Sequence, residues 1–433
     1  MPAGETHAAI EATFRIERAR LVAGLARLVR QVDLAEELAH DALVVALAEW
    51  PKTGVPSNPG AWLMAVAKRR AIDVLRRDRM RARKHEEIAR TLDETRRHEA
   101  DTIESCMDDG VGDELLGLIF AACHPVLSPD ARAALTLKVV GGLTTGEIAR
   151  AFLSSEATIA QRIVRAKRAI AKAGVTFEVP RGAERAARLP SVLEVIYLVF
   201  NEGYAATAGD DLLRPALCTE AQRLARILAG LMPGEAEVHG LLALIEIQAS
   251  RQHARTAPDG SIIPLPEQDR ARWDRLLIRR GLDALARAEA LGGDGPYVLQ
   301  AALAASHARA RTAAETDWPR IAALYDRLRA VAPSPVVDLN RAIAHSMAFG
   351  PEVGLVMLDA IAGDAALRQY PPFPAARGDC LFRAGRLAEA RSRSPWQPRS
   401  RRMRANAHSS LRGPTHAAGR DGRNGAPAAS RPL

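Results

Sequence analysis

Aromatic side chains make up only 4% of this 433-residue chain. Glycine and proline gather at segment ends rather than inside apolar stretches. Together these features favour an all-α protein over one built on sheets. Cysteine is scarce as well: Cys106, Cys123, Cys218 and Cys380 stand far apart with no CxxC pair. That spacing argues against a disulfide framework or a thiolate metal site, and reads as reduced, partly buried thiols. The longest strongly apolar run, residues 192–200, is far too short to cross a bilayer. No basic stretch followed by an apolar one opens the chain, so no signal peptide is expected and the cytoplasm is the expected compartment. Histidines are scattered singly, and there is neither a Ser/His/Asp set nor a glycine-rich phosphate loop. Nothing here suggests an enzyme, a metal site or a cofactor.

What the chain does contain is ample apolar material, 48% of residues, enough for about three domains of roughly 150 residues each. The formal charge of +9 looks like a signature of nucleic-acid binding but is misplaced for one. Residues 391–433 hold ten arginines against one aspartate, so the rest of the chain is neutral overall. Only local clusters of charge are informative.

The densest local signal lies at residues 143–173, LTTGEIARAFLSSEATIAQRIVRAKRAIAKA. Thr144 with Glu147 three residues on is a capping box, which starts a short helix bearing Ile148, Ala149 and Phe152 inward. A turn follows, in which Ser154 or Ser155 caps a second helix. Ile159, Ile163, Ala166 and Ile170 form its apolar stripe. Thr158, Arg162 and Arg165 share another face, with Gln161 and Arg168 beside them. A capped second helix with a basic, hydrogen-bonding outer face suits a major-groove reader. An ordinary helical hairpin with a solvated charged face is the competing reading.

Upstream, a basic amphipathic helix is predicted over residues 10–30. A second follows over 33–50, with Leu34, Leu38, Val45 and Leu47 apolar and Asp33, Glu36, Glu37 and Asp41 on an acidic side. Residues 51–60 read as a loop, from which Asn58-Pro59 launches a long helix to about residue 84. Leu63, Val66, Ala67 and Val74 suit its inner side. Its second half carries Lys68, Arg69, Arg70, Arg76 and Arg77, continuing to Lys84, against only Asp73 and Asp78. So dense a basic run favours phosphate contacts. Trp62 is placed either to stack on an unpaired base or to half-bury in a core. Residues 85–112 turn acidic and read as a linker, after which residues 113–140 resume as apolar helices broken at Pro125 and Ser128-Pro129.

Three segments, DLAEELAHDALVVALAEWP, NPGAWLMAVAKRRAIDVLRRDR and LSPDARAALTLKVVGGLTTGEIARAF, in this order and at this spacing, resemble regions 2 and 4 of extracytoplasmic-function sigma factors of bacterial RNA polymerase. The resemblance divides the chain into region 2 (10–84), an acidic linker (85–112) and region 4 (113–174). It implies core RNA polymerase and promoter DNA as partners. Asp33, Glu36, Glu37 and Asp41 would meet the polymerase clamp. Asn58, Trp62, Lys68, Arg69, Asp73, Arg76 and Arg77 would melt and hold the −10 element, with a flipped base read in a pocket. Thr158, Gln161, Arg162, Arg165 and Arg168 would read the −35 element. Ala160 and Val164 occupy positions on that helix that are often polar in the family, so base readout leans on the remaining set.

Residues 190–391 are helical throughout, with breaks near Gly209, Pro233, and residues 258–266, 292–296, 333–335 and 371–374. Ile321, Tyr325, Leu328 and Pro333, and again Gly378, Leu381, Gly385 and Ala390, fall at tetratricopeptide-repeat (TPR) offsets; a non-repeating helical array remains an alternative. VLEVIYLVFNEGYAA, EQDRARWDRLLI, TDWPRIAALYDRL and APSPVVDLNRAIA resemble the TPR-like extension of one sigma-factor group, which implies a regulatory domain with a possible protein regulator of its own. Residues 201–204 read as an interface loop or a capped turn. Residues 392–433 lack apolar periodicity and should be disordered. They read as the product of a shifted reading frame, with a genuine basic DNA-binding arm as the alternative. Two other functions compete: a helix-turn-helix regulator that never joins polymerase, and a TPR scaffold.

Overall fold

A computed structural model describes residues 3–88, 111–152, 154–204, 215–257, 263–368 and 370–392. The acidic linker beyond Ile88, residues 205–214 and the tail from 393 lie outside the described residues. The chain forms two compact bodies, residues 1–324 and 325–433. Among the described residues every regular element is a helix.

The first body opens with three helices, α1 (Ala3–Val29), α2 (Val32–Thr53) and α3 (Pro59–Ile88), each packed on the other two. The seam of α2 differs from the expected leucine stripe. Its buried residues are Val32, Ala35, Leu38, Ala39, Ala42, Ala46 and Trp50, whereas Leu34, Val45 and Leu47 are only half-buried. Four alanines on one face let the neighbouring helices approach closely, so the smallest side chains carry the core here. The loop expected at 51–60 is shorter than predicted. Pro51 sits in the last turn of α2, which ends at Thr53 and is followed by Gly54 at φ 84°. Asn58 then caps α3, its Oδ1 accepting from the Ala61 amide at 3.1 Å. Trp62, at the start of α3, is half-buried and meets the buried Trp50 edge-on with centroids 5.2 Å apart.

Four helices follow: α4 (Val111–Ala122), α5 (Pro129–Val139), α6 (Thr145–Ala151) and α7 (Glu156–Lys172). Helix α4 packs on α1, and α5 and α6 both pack on α7. Next come α8 (Gly182–Tyr204), α9 (Pro215–Leu231), α10 (Ala236–Ala249), α11 (Arg275–Ala290) and α12 (Pro296–Arg309). Residues 201–204 are the last turn of α8, not a loop, and Gly203 and Tyr204 are buried in it. The approach of α9 is so close that a Cβ on Gly203 would stand 2.7 Å from the Cys218 amide. The Tyr204 hydroxyl accepts from Arg251 at 3.0 Å, and the Arg255 guanidinium lies 3.7 Å above the Tyr204 ring. Gly203 and Tyr204 are core residues.

Helix α13 (Trp318–Val331) contains the point at which the chain divides into its two bodies. The second body adds α14 (Pro335–Phe349), α15 (Pro351–Ile361), α16 (Ala365–Arg368), α17 (Pro372–Arg383) and α18 (Leu387–Ser392). Leu339, Leu355, Leu358, Leu367 and Leu381 form its core. Gly350, at φ 108°, lets α14 turn directly into α15, a conformation a side chain would strain.

Candidate nucleic-acid interface

The helix-turn-helix is built by local chemistry. The Thr144 hydroxyl accepts from the Glu147 amide at 3.2 Å, and the Glu147 carboxylate accepts from the Thr144 amide at 2.7 Å. These two bonds satisfy amides that the first turn of α6 would otherwise leave bare. Hydrogen bonding to the Thr144 backbone, and then to its hydroxyl, holds the Glu147 carboxyl below the usual glutamate range. Of the two candidate serines, Ser155 caps α7, accepting from the Thr158 amide at 3.1 Å. Ile159, Ile163, Ala166 and Ile170 are all buried, as their spacing requires.

The opposite side of α7 faces solvent. Thr158, Gln161, Arg165 and Arg168 are exposed and Arg162 is half-buried. Thr158, Gln161, Arg162 and Arg165 line one cleft together with Val126 and Ser128, just ahead of α5; Arg168 is exposed outside it. Ala160 and Val164 are exposed on the same helix and leave an apolar step between the polar ones. Asp130, in the first turn of α5, lies 3.6 Å from Arg162. Sequence spacing offers no sign of that partner, which belongs to a different helix.

On α3, Arg69, Asp73, Arg76 and Arg77 are exposed and Lys68 is half-buried. The Arg77 Nε donates to the Asp73 carbonyl at 3.3 Å, one turn back. Arg70 pairs instead with Asp41 of α2 at 2.5 Å.

The acidic side of α2 is less uniform than its composition suggests. Glu37 is exposed, but the Glu36 side chain is 15% exposed and lies between two cations. Arg18 of α1 reaches it at 2.6 Å, and so does Lys167 of α7. Lys167 also bonds Asp33 at 2.7 Å. Burial alone would lower the Lys167 ammonium; its bonds to Asp33 and Glu36 outweigh that and raise it. Sequence reasoning missed Lys167, because its partners lie more than a hundred residues away.

The helix-turn-helix unit is also fastened to the helices that follow it. Arg132 of α5 bonds Ser191 and, at 3.1 Å, Glu194 of α8. Arg188 donates to the Phe120 carbonyl at 2.8 Å, Ser191 to the Cys123 carbonyl at 2.7 Å, and Arg223 of α9 to the Val140 carbonyl at 2.9 Å. Among the described residues, no helix is long and apolar enough to cross a membrane.

Comparison with known proteins agrees with this geometry. Residues 14–81 match sigma-70 region 2 and residues 118–170 match sigma-70 region 4. Residues 188–289 match a family of unknown function, DUF6596. The chain is 42% identical over 376 residues to an uncharacterised protein of Rhizobium meliloti (strain 1021), covering 87% of this chain and 88% of that relative. No solved structure matches it. Sigma-70 regions 2 and 4 in one chain mark the class as DNA-binding proteins of transcription initiation. The chain belongs to the sigma-70 family of RNA polymerase sigma factors.

Proposed function

We propose that this chain is a sigma factor of the extracytoplasmic-function type whose activity is set by the helices from α8 onward. The observation that carries the reading is the pairing of two separate nucleic-acid surfaces in one chain. One is the cleft face of α7, where Thr158, Gln161, Arg162 and Arg165 stand together, with Arg168 beside it, for the −35 element. The other is α3, where Asn58 caps the helix carrying Trp62, Lys68, Arg69, Asp73, Arg76 and Arg77 for the melted −10 element. Asp33, Glu36, Glu37 and Asp41 of α2 supply the face for core polymerase.

Control by the carboxy-terminal helices is supported by Arg132, Arg188 and Arg223, which tie the helix-turn-helix unit to α8 and α9. A domain that grips the promoter reader this closely is well placed to govern where the reader sits. Ile321, Tyr325, Leu328 and Leu381 are all buried, which suits a TPR-like array.

Purified full-length chain mixed with core polymerase tests the reading. A sigma factor co-elutes with core and supports run-off transcription from a selected promoter. A chain that binds duplex DNA unaided and ignores core is a simple regulator, and that result overturns the proposal.

A further inference from the structure

The acidic face of α2 already has an occupant. Lys167 sits on the helix proposed to read DNA, two residues beyond Arg165 and one before Arg168, yet it does not line the cleft. Its side chain is 11% exposed, and its ammonium lies within 2.7 Å of both Asp33 and Glu36. Arg18 completes the junction, bonding Glu36 with one guanidinium nitrogen and the Lys138 carbonyl with the other at 2.9 Å. The groups facing one another here are Arg18, Lys138 and Lys167 against Asp33, Glu36 and, further off, Glu147. Region 2 and region 4 are thus joined through charge at the surface proposed for polymerase.

We infer that Lys167 is an internal competitor for the acidic face of α2, and that core polymerase engages this face by displacing Lys167 with a cationic group of its own. The inference rests on the sigma-factor reading and deepens it. A partner that meets Asp33 and Glu36 must bring positive charge to a site where Lys167 now supplies it, so the two cannot be bound together.

The test uses the full chain with Lys167→Glu and Lys167→Met, the second keeping the apolar stem while removing the charge. A dye pair on Thr53→Cys and Lys172→Cys, in a Cys106→Ser background, reports the separation of the two regions without polymerase present. Both variants should lengthen the dye separation in the free chain. They should also tighten binding to purified core by about fivefold or more, the low end of ordinary coupling between sites. An unchanged dye separation in either variant overturns the inference whether or not core is bound. So does an opened chain that binds core no better than a wild-type chain which itself binds. If the variants open but no form of the chain binds core, the sigma-factor reading has failed and the inference fails with it.

Discussion

Among single residues, the candidate interface separates groups that look alike in sequence. Arg162 and Arg165 both line the cleft, but Arg162 has a carboxylate nearby, Asp130 at 3.6 Å, and is the less exposed of the two. Replacing either arginine with alanine should weaken binding to a cognate −35 element by about 1–3 kcal/mol while leaving core association intact. Competition against a scrambled −35 sequence checks this, since equal losses on both would mean contacts to phosphate alone. Glu36 and Glu37 are neighbours in sequence with opposite surroundings. Glu37→Lys should reduce core binding and leave the unfolding midpoint nearly unchanged, because an exposed charge contributes little to stability. Glu36→Lys should lower that midpoint, since it places a third cation between Arg18 and Lys167. Thermal unfolding of the two variants side by side distinguishes them.

Among the helices, the caps decide where the helix-turn-helix begins. Thr144→Ala removes one side of the capping box and should cost about 1 kcal/mol of stability. The other side is titratable. The Glu147 carboxyl is held low by bonds that exist only in the folded chain. Its contribution is therefore complete above the ordinary glutamate range and is lost as pH falls through the folded value. Denaturant midpoints of wild type and Glu147→Gln should converge as the solution is acidified through that range; a gap that persists unchanged would show that the carboxylate does not matter. Much about these helices was legible in the sequence. The capping box, the serine cap and the isoleucine stripe of α7 all depend on spacings of three or four residues. The seam of α2 was not legible in the same way. Alanine carries a weak hydropathy signal, and leucines one position away from the seam draw the eye to the wrong stripe.

Across the whole molecule, three buried cysteines report on the two bodies. Cys123 and Cys218 belong to the first body and Cys380 to the second. Burial pushes the Cys123 thiol up to about 11 and the Cys218 thiol up to about 12. At these two positions thiolate, the reactive form, is therefore almost absent near neutral pH even before access is considered. A thiol reagent there should leave all three unmodified in the native chain. Each should become reactive only as its own body unfolds in urea, read by mass spectrometry of labelled peptides. Modification of Cys123 or Cys218 in the native state would show that the first body opens more readily than its packing implies.

Whatever rests on neighbours along the chain was readable before any packing was known. The helical class follows from where glycine and proline fall, and the helix-turn-helix from its caps and stripe. The breaks near Pro233 and at residues 292–296 come from residues that cannot continue a helix. What lies opposite each surface was settled only by the way the helices pack. Residues 201–204 read as either an interface loop or a capped turn and are a helix end, where Cys218 leaves no room for anything larger than Gly203. Asp33 and Glu36 read only as the acidic side of a helix, and they hold Lys167, a residue more than a hundred positions away. Helical periodicity records which side of a helix is apolar. It holds no information about which distant charge will meet the polar side, since that pairing is made by packing.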